Sequence, residues 1–140
     1  NELSIEKKIP TLGICLGMQL LTNGSEEGSL PGLGWIDADT KAFPKNDKFK
    51  IPHVGWNLAK PIINNEITSD LEGKSRFYFV HSFYVDVKND KNTLMKTSYG
   101  IDFDSGIFKD NIYGFQFHPE KSHKFGMQIL KNFAKINVQK

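Results

Sequence analysis

A thiol nucleophile needs a base to take its proton and a third group to hold the base. This 140-residue chain offers one cysteine for the first role. Cys15 lies in Thr11-Leu12-Gly13-Ile14-Cys15-Leu16-Gly17-Met18-Gln19-Leu20-Leu21, with a glycine two residues before it and another two residues after. The apolar run from Ile9 to Ile14, entered through Pro10, predicts a short buried strand. Leu16 to Leu21 predicts the first turns of a helix, with Gly24 as its stop. The cysteine then sits on a strand-to-helix turn so sharp that flanking side chains would clash, the geometry of a nucleophile elbow. The two glycines remove the clash, and the positive end of the helix favours thiolate over thiol. A lone cysteine also serves as a small buried hydrophobe, and glycines serve ordinary turns, so this stretch alone leaves both readings open.

The base and its partner come from Gly114-Phe115-Gln116-Phe117-His118-Pro119-Glu120-Lys121-Ser122. His118 ends a strand, Pro119 forces a turn, and Glu120 can swing back to the imidazole. Glu120 would then fix the tautomer and leave the other ring nitrogen for Cys15. A strand-end histidine beside a surface acid is also commonplace. The conjunction with an elbow cysteine favours catalysis. Ser122 reads as the N-cap of a helix running to about Ile136, with Phe125, Ile129, Leu130, Phe133 and Ile136 along one face.

Other elements must bring these two stretches together. Trp35 to Phe43 alternates like an edge strand, and Pro44 to Lys50 is a charged connector. Pro52-His53-Val54-Gly55-Trp56-Asn57 reads as a loop, either with Trp56 packed on the core and His53 hydrogen-bonded, or as a docking loop. Arg76 to Val85 is nearly continuous and aromatic, predicting a single central strand covered on both faces. His81 and Ser82 interrupt it, so they either hydrogen-bond internally or face a pocket. Thr93 to Tyr99 predicts a strand, and Phe103 to Phe108 with Ile112 to Phe117 a hairpin closed at Lys109-Asp110-Asn111.

Length and an ordinary 39% apolar content predict one domain over 1–140. A net charge of +2 without a long basic run argues against nucleic-acid or membrane partners. One cysteine precludes an internal disulfide and fits a reducing cytoplasm. No cofactor or metal is expected. The catalytic strand arrives within fifteen residues of an Asn1 start, so the chain reads as a piece lacking N-terminal strands.

The Gly13 to Gln19 and Phe117 to Glu120 blocks resemble the class I, or triad, glutamine amidotransferases. The His53 to Asn57 and Tyr78 to Ser82 blocks narrow the resemblance to glutaminase subunits of imidazole glycerol phosphate synthases. That implies a three-layer α/β open sheet of the flavodoxin-like type, here N-terminally truncated. It implies attack on L-glutamine by Cys15, proton transfer by His118, and orientation by Glu120. Gln19 and Glu27 match positions that hold the amino-acid end of glutamine. His81, Ser82 and Phe83 match the strand whose backbone lines the same pocket, and the Leu16 amide, beside Gly17, would be one oxyanion donor. Ammonia would pass to a (β/α)8-barrel synthase subunit in a heterodimer, with Trp56, Tyr78 and Lys121 near the interface. The family's glycine-rich oxyanion loop precedes the nucleophile and is absent here. The expectation for these 140 residues is therefore a ~100-fold or greater loss of glutaminase activity. A paralogue feeding sugar amination, to which Gly34-Trp35-Ile36-Asp37-Ala38 is somewhat nearer, and a non-catalytic fragment are the alternatives.

Overall fold

The aromatic and β-branched residues concentrate between positions 76 and 117, and that stretch builds most of the sheet. The computed structural model describes residues 5–25, 31–71 and 74–136. In chain order they form β1 (Thr11–Ile14), α1 (Leu16–Leu20), β2 (Ala38–Ala42), β3 (His53–Leu58), β4 (Lys60–Pro61), β5 (Arg76–His81), β6 (Phe83–Val87), β7 (Thr93–Tyr99), β8 (Ile101–Lys109), β9 (Ile112–Phe115) and α2 (His123–Ala134). The main sheet runs β1-β9-β8-β6-β2, with β7 also on β8 and β4 on β7. A separate ribbon pairs β3 with β5.

Alternation along β9 divides the molecule into layers. Ile112 and Gly114 face α1, while Tyr113 and Phe115 face the other way. On the first side Met18, Leu21, Ile36, Ala38, Val85 and Ile107 close a small core. Gly114 allows this close approach, because a Cβ there would come within 2.9 Å of Met18 and 3.2 Å of Leu21. The opposite side carries the larger, aromatic core. There Phe77, Phe79, Phe103, Phe115 and Phe117 pack with Ile129 of α2. Helix, sheet, and a third layer of α2 with the ribbon make the three-layer α/β arrangement expected from the sequence.

Several expectations are corrected. The segment around His53 and Trp56 is a strand, not a loop; Gly55, at φ 123°, lets it stay paired with β5. The run from Arg76 to Val85 is two strands in different sheets, broken at Ser82. Its β5 half alternates between exposed and buried, because only one face of the ribbon meets the core. Helix α1 is shorter than its apolar pattern. It stops at Leu20, and Gly24 instead bridges to Pro31. The sheet is mixed, with β1–β9 the one parallel strand pair among the described residues.

Phe79 sits at the centre of the aromatic core with no solvent exposure. Phe79→Ala should lower unfolding free energy by about 3–5 kcal/mol, measured by urea denaturation.

Candidate active site

Parallel pairing carries Cys15 and His118 to the same edge of the sheet. The register sets Ile14 opposite Phe115, and the Cys15 N–H donates to the Phe115 carbonyl at 2.8 Å. Three residues past Phe115 the chain reaches His118. Both side chains therefore stand just beyond the carboxyl ends of neighbouring strands.

Cys15 has φ 54° and ψ −107°, a conformation that non-glycine residues rarely adopt. The chain is thus held in a strained turn at Cys15. Gly13 is needed for it, since a Cβ there would lie 2.7 Å from the Gly17 carbonyl oxygen. Gly17 itself meets nothing within 4 Å, so the symmetrical requirement read from the two glycines holds only on one side.

The Cys15 thiol donates to the Val80 carbonyl at 3.8 Å and accepts from Gln116 Nε2 at 3.7 Å. Burial pushes its pKa up, while the Leu16 backbone N–H and the Gln116 amide pull it down. The charge of Glu120 raises it further and that of Lys121 lowers it, so both side chains are felt at the sulfur. With only five residues in α1, the first amide, rather than a long helix dipole, is what favours the thiolate. Desolvation outweighs it.

His118 Nδ1 donates to Glu120 Oε2 at 2.9 Å, which turns Nε2 outward as the basic nitrogen. Pro119 opens a 3-10 turn over Pro119–Lys121 that folds Glu120 back. The His118 N–H donates to the Tyr78 carbonyl at 3.0 Å. Ser122 was expected to cap α2 but makes no side-chain capping bond. Its hydroxyl instead donates to the His118 carbonyl at 2.5 Å and accepts from the Tyr78 N–H at 2.9 Å. Gly126 lets α2 press on this loop, since a Cβ there would collide with the Pro119 carbonyl.

The other candidate positions divide. Gln19 is buried, and its Nε2 donates to the Phe83 carbonyl at 3.3 Å and to Gln116 Oε1 at 3.2 Å. His81 does not turn its ring into a pocket. Its Nδ1–H donates to the same Phe83 carbonyl at 2.7 Å, and its Nε2 accepts from His53 Nδ1 at 2.9 Å. His53 Nε2 in turn faces the Asn57 amide at 3.2 Å. Ser82 is exposed and Phe83 half-buried. Leu16 is largely exposed and Gly17 partly so. Glu27 lies outside the described residues. Trp56 is not packed on the core. It is 44% exposed, stacks on His123 at 5.2 Å, and neighbours Tyr78 at 6.0 Å. Lys121 is exposed beside the His118 loop. Sequence reasoning gave no role to Gln116 or Val80. The signal for Gln116 was a lone amide inside an aromatic run.

A strained cysteine turn and a His–Glu pair, both at one edge of a three-layer α/β sheet, point to a class. The chain belongs to the class-I glutamine amidotransferases, whose family model matches residues 2–136. It is 58% identical over 135 residues to imidazole glycerol phosphate synthase subunit HisH 2 of Methanococcus maripaludis, covering 96% of this chain and 67% of that protein. It is 50% identical over 130 residues to the protein of the same name from Pseudomonas aeruginosa, covering 93% and 64%. A crystal structure of a glutamine amidotransferase from Thermotoga maritima shares the fold at a TM-score of 0.59 and 20% identity, covering 95% of this chain and 50% of that one. The chain thus spans about two thirds of the length of these curated relatives.

Burial lowers the pKa of both His53 and His81 to about 4, the charge of His81 adding to the effect on His53. An unfolded histidine takes up a proton near pH 6.5, while the folded pair stays neutral down to about 4. Stability should therefore be full above pH 6.5 and fall as pH drops towards 4, by about 2–3 kcal/mol for the hydrogen-bonded pair taken together. Urea midpoints at pH 7 and pH 4.5 measure this, and His53→Phe should flatten the slope.

Proposed function

We propose that this chain provides the glutaminase chemistry of an imidazole glycerol phosphate synthase. It would hydrolyse L-glutamine to L-glutamate and ammonia. The observation that carries this reading is the 2.9 Å His118–Glu120 contact beside the strained Cys15 turn. Similarity to the two HisH subunits supplies the substrate and the setting.

In this reading the Cys15 thiol turns from the Val80 carbonyl and gives its proton to His118 Nε2. The thiolate attacks the carboxamide carbon, and the Leu16 N–H receives the developing oxyanion. His118 returns the proton to the amide nitrogen as the C–N bond breaks. Ammonia leaves and a glutamyl thioester remains. Water, deprotonated by His118, then opens the thioester to glutamate and restores the thiol. Glu120 holds the ring in place throughout. Gln19 and Glu27 hold the amino-acid end of the substrate. Both Gln19 contacts use Nε2, leaving Oε1 for the ammonium group. The backbone of His81, Ser82 and Phe83 lines the pocket.

Ammonia passes to a (β/α)8-barrel synthase subunit, which makes imidazole glycerol phosphate and AICAR in histidine biosynthesis. Its docking surface is the outward face of the β3–β5 ribbon. Val54, Trp56 and Leu58 lie there opposite Val80, Tyr78 and Arg76, with Lys121 nearby. The four large apolar side chains Val54, Trp56, Leu58 and Val80 are exposed. A contiguous apolar face of this kind needs a cover.

A glutamine-analogue electrophile should label Cys15 stoichiometrically, and Cys15→Ser should abolish labelling. Free L-glutamine that fails to protect the sulfur would exclude the substrate assignment. Measured together with the barrel subunit, Glu120→Gln should lower kcat by about 10- to 100-fold with little change in KM. Trp56→Ala should weaken binding of that subunit by about 1–3 kcal/mol, read by calorimetric titration.

A further inference from the structure

The buried amide of Gln116 stands between Gln19 and the Cys15 sulfur, and its orientation can be deduced. The Phe83 carbonyl can only accept. The Gln19 atom that meets it at 3.3 Å is therefore the amide nitrogen. That nitrogen also meets the Gln116 amide at 3.2 Å, so the Gln116 atom facing it is the oxygen. The remaining Gln116 atom is Nε2, 3.7 Å from the sulfur, and it presents an N–H there. Gln116 is completely buried, so water does not replace this donor.

The two contacts of the sulfur respond differently to ionisation. The thiol donates to the Val80 carbonyl at 3.8 Å. Once the proton has left, that carbonyl faces a thiolate with nothing to accept. The Gln116 N–H strengthens at the same moment, because its acceptor has become charged. On the reading of Cys15 as the nucleophile, we infer that Gln116 is a positioning residue for the Cys15 thiolate, with the direction of its amide set by Gln19. Gln19 thereby has a second task beside any contact with substrate. It prevents the Gln116 amide from flipping and presenting oxygen to the sulfur.

Cys15 is the sole cysteine, so alkylation by iodoacetamide reports its ionisation without reference to any substrate. Gln116→Met keeps the length and approximate volume of the side chain but removes the N–H. The alkylation-rate profile of this variant should move to higher pH by roughly one unit, a tenfold loss of rate at a fixed pH below the midpoint. Gln19→Met should move it in the same direction by less. A folded Gln116→Met chain with an unmoved midpoint overturns the inference. The unmodified chain provides a test that does not depend on a variant's folding. The Gln116 side-chain amide resonances should titrate with the Cys15 alkylation midpoint and stop titrating in Cys15→Ser. Resonances that stay fixed through the midpoint overturn it equally. A shifted alkylation midpoint in a chain whose sulfur L-glutamine never protects would uphold the role of Gln116 and sink the glutaminase reading instead.

Discussion

The four-residue parallel pairing of β1 with β9 is the constraint from which the site follows. Parallel strands end at the same edge, so pairing Ile14 with Phe115 determines where the next residues of both chains emerge. One chain turns at once into α1 and leaves Cys15 on the bend. The other runs on through Gln116 and Phe117 to His118. A slip of one residue would turn Gln116 away from the sulfur and drive a phenylalanine into the α1 side, where a Cβ on Gly114 would already crowd Met18 and Leu21, so the packing on both faces fixes the register energetically.

The His118 loop and the Cys15 turn also resolve a structural problem for β5. This strand pairs with β3 along one edge. Its other edge would leave backbone groups unpaired beside the core, where an unmade hydrogen bond costs about 1–3 kcal/mol. The loop and the turn supply the partners. The Tyr78 carbonyl takes the His118 N–H, the Tyr78 N–H finds the Ser122 hydroxyl, and the Val80 carbonyl takes the Cys15 thiol. The groups that position the histidine are therefore also groups that complete the ribbon.

Much of this was legible in the sequence for identifiable reasons. The glycine at position 13, the proline at 119 and the acid at 120 each act within a few residues of themselves, so the bend at Cys15 and the returning carboxylate could be read locally. The β7, β8 and β9 strands were clear from alternation. Long-range effects were not legible. Nothing local says that the aromatic run breaks at Ser82 into two sheets, because the break depends on which strands arrive beside each half. The Pro52 to Asn57 stretch carries turn-forming residues, which locally favour a loop. It becomes β3 because β5 offers it a full ladder. Ser122 has the composition of a helix cap but bonds to Tyr78, a residue 44 positions away. Gln116 acquires a role only once Cys15 and Gln19 converge on it, with the Phe83 carbonyl orienting Gln19.

The ribbon has one more consequence. Val80 exposes its side chain on the outer surface, yet its own carbonyl oxygen accepts the hydrogen bond of the cysteine thiol. Tyr78 lies on the same outer face beside Trp56, and its peptide groups hold the histidine loop. Surface and chemistry are thus separated by the thickness of a single peptide plane. A rotation of that plane too small to break the β3–β5 ladder would change what the sulfur and the imidazole loop can bond to, so the exterior of this strand is mechanically part of its interior.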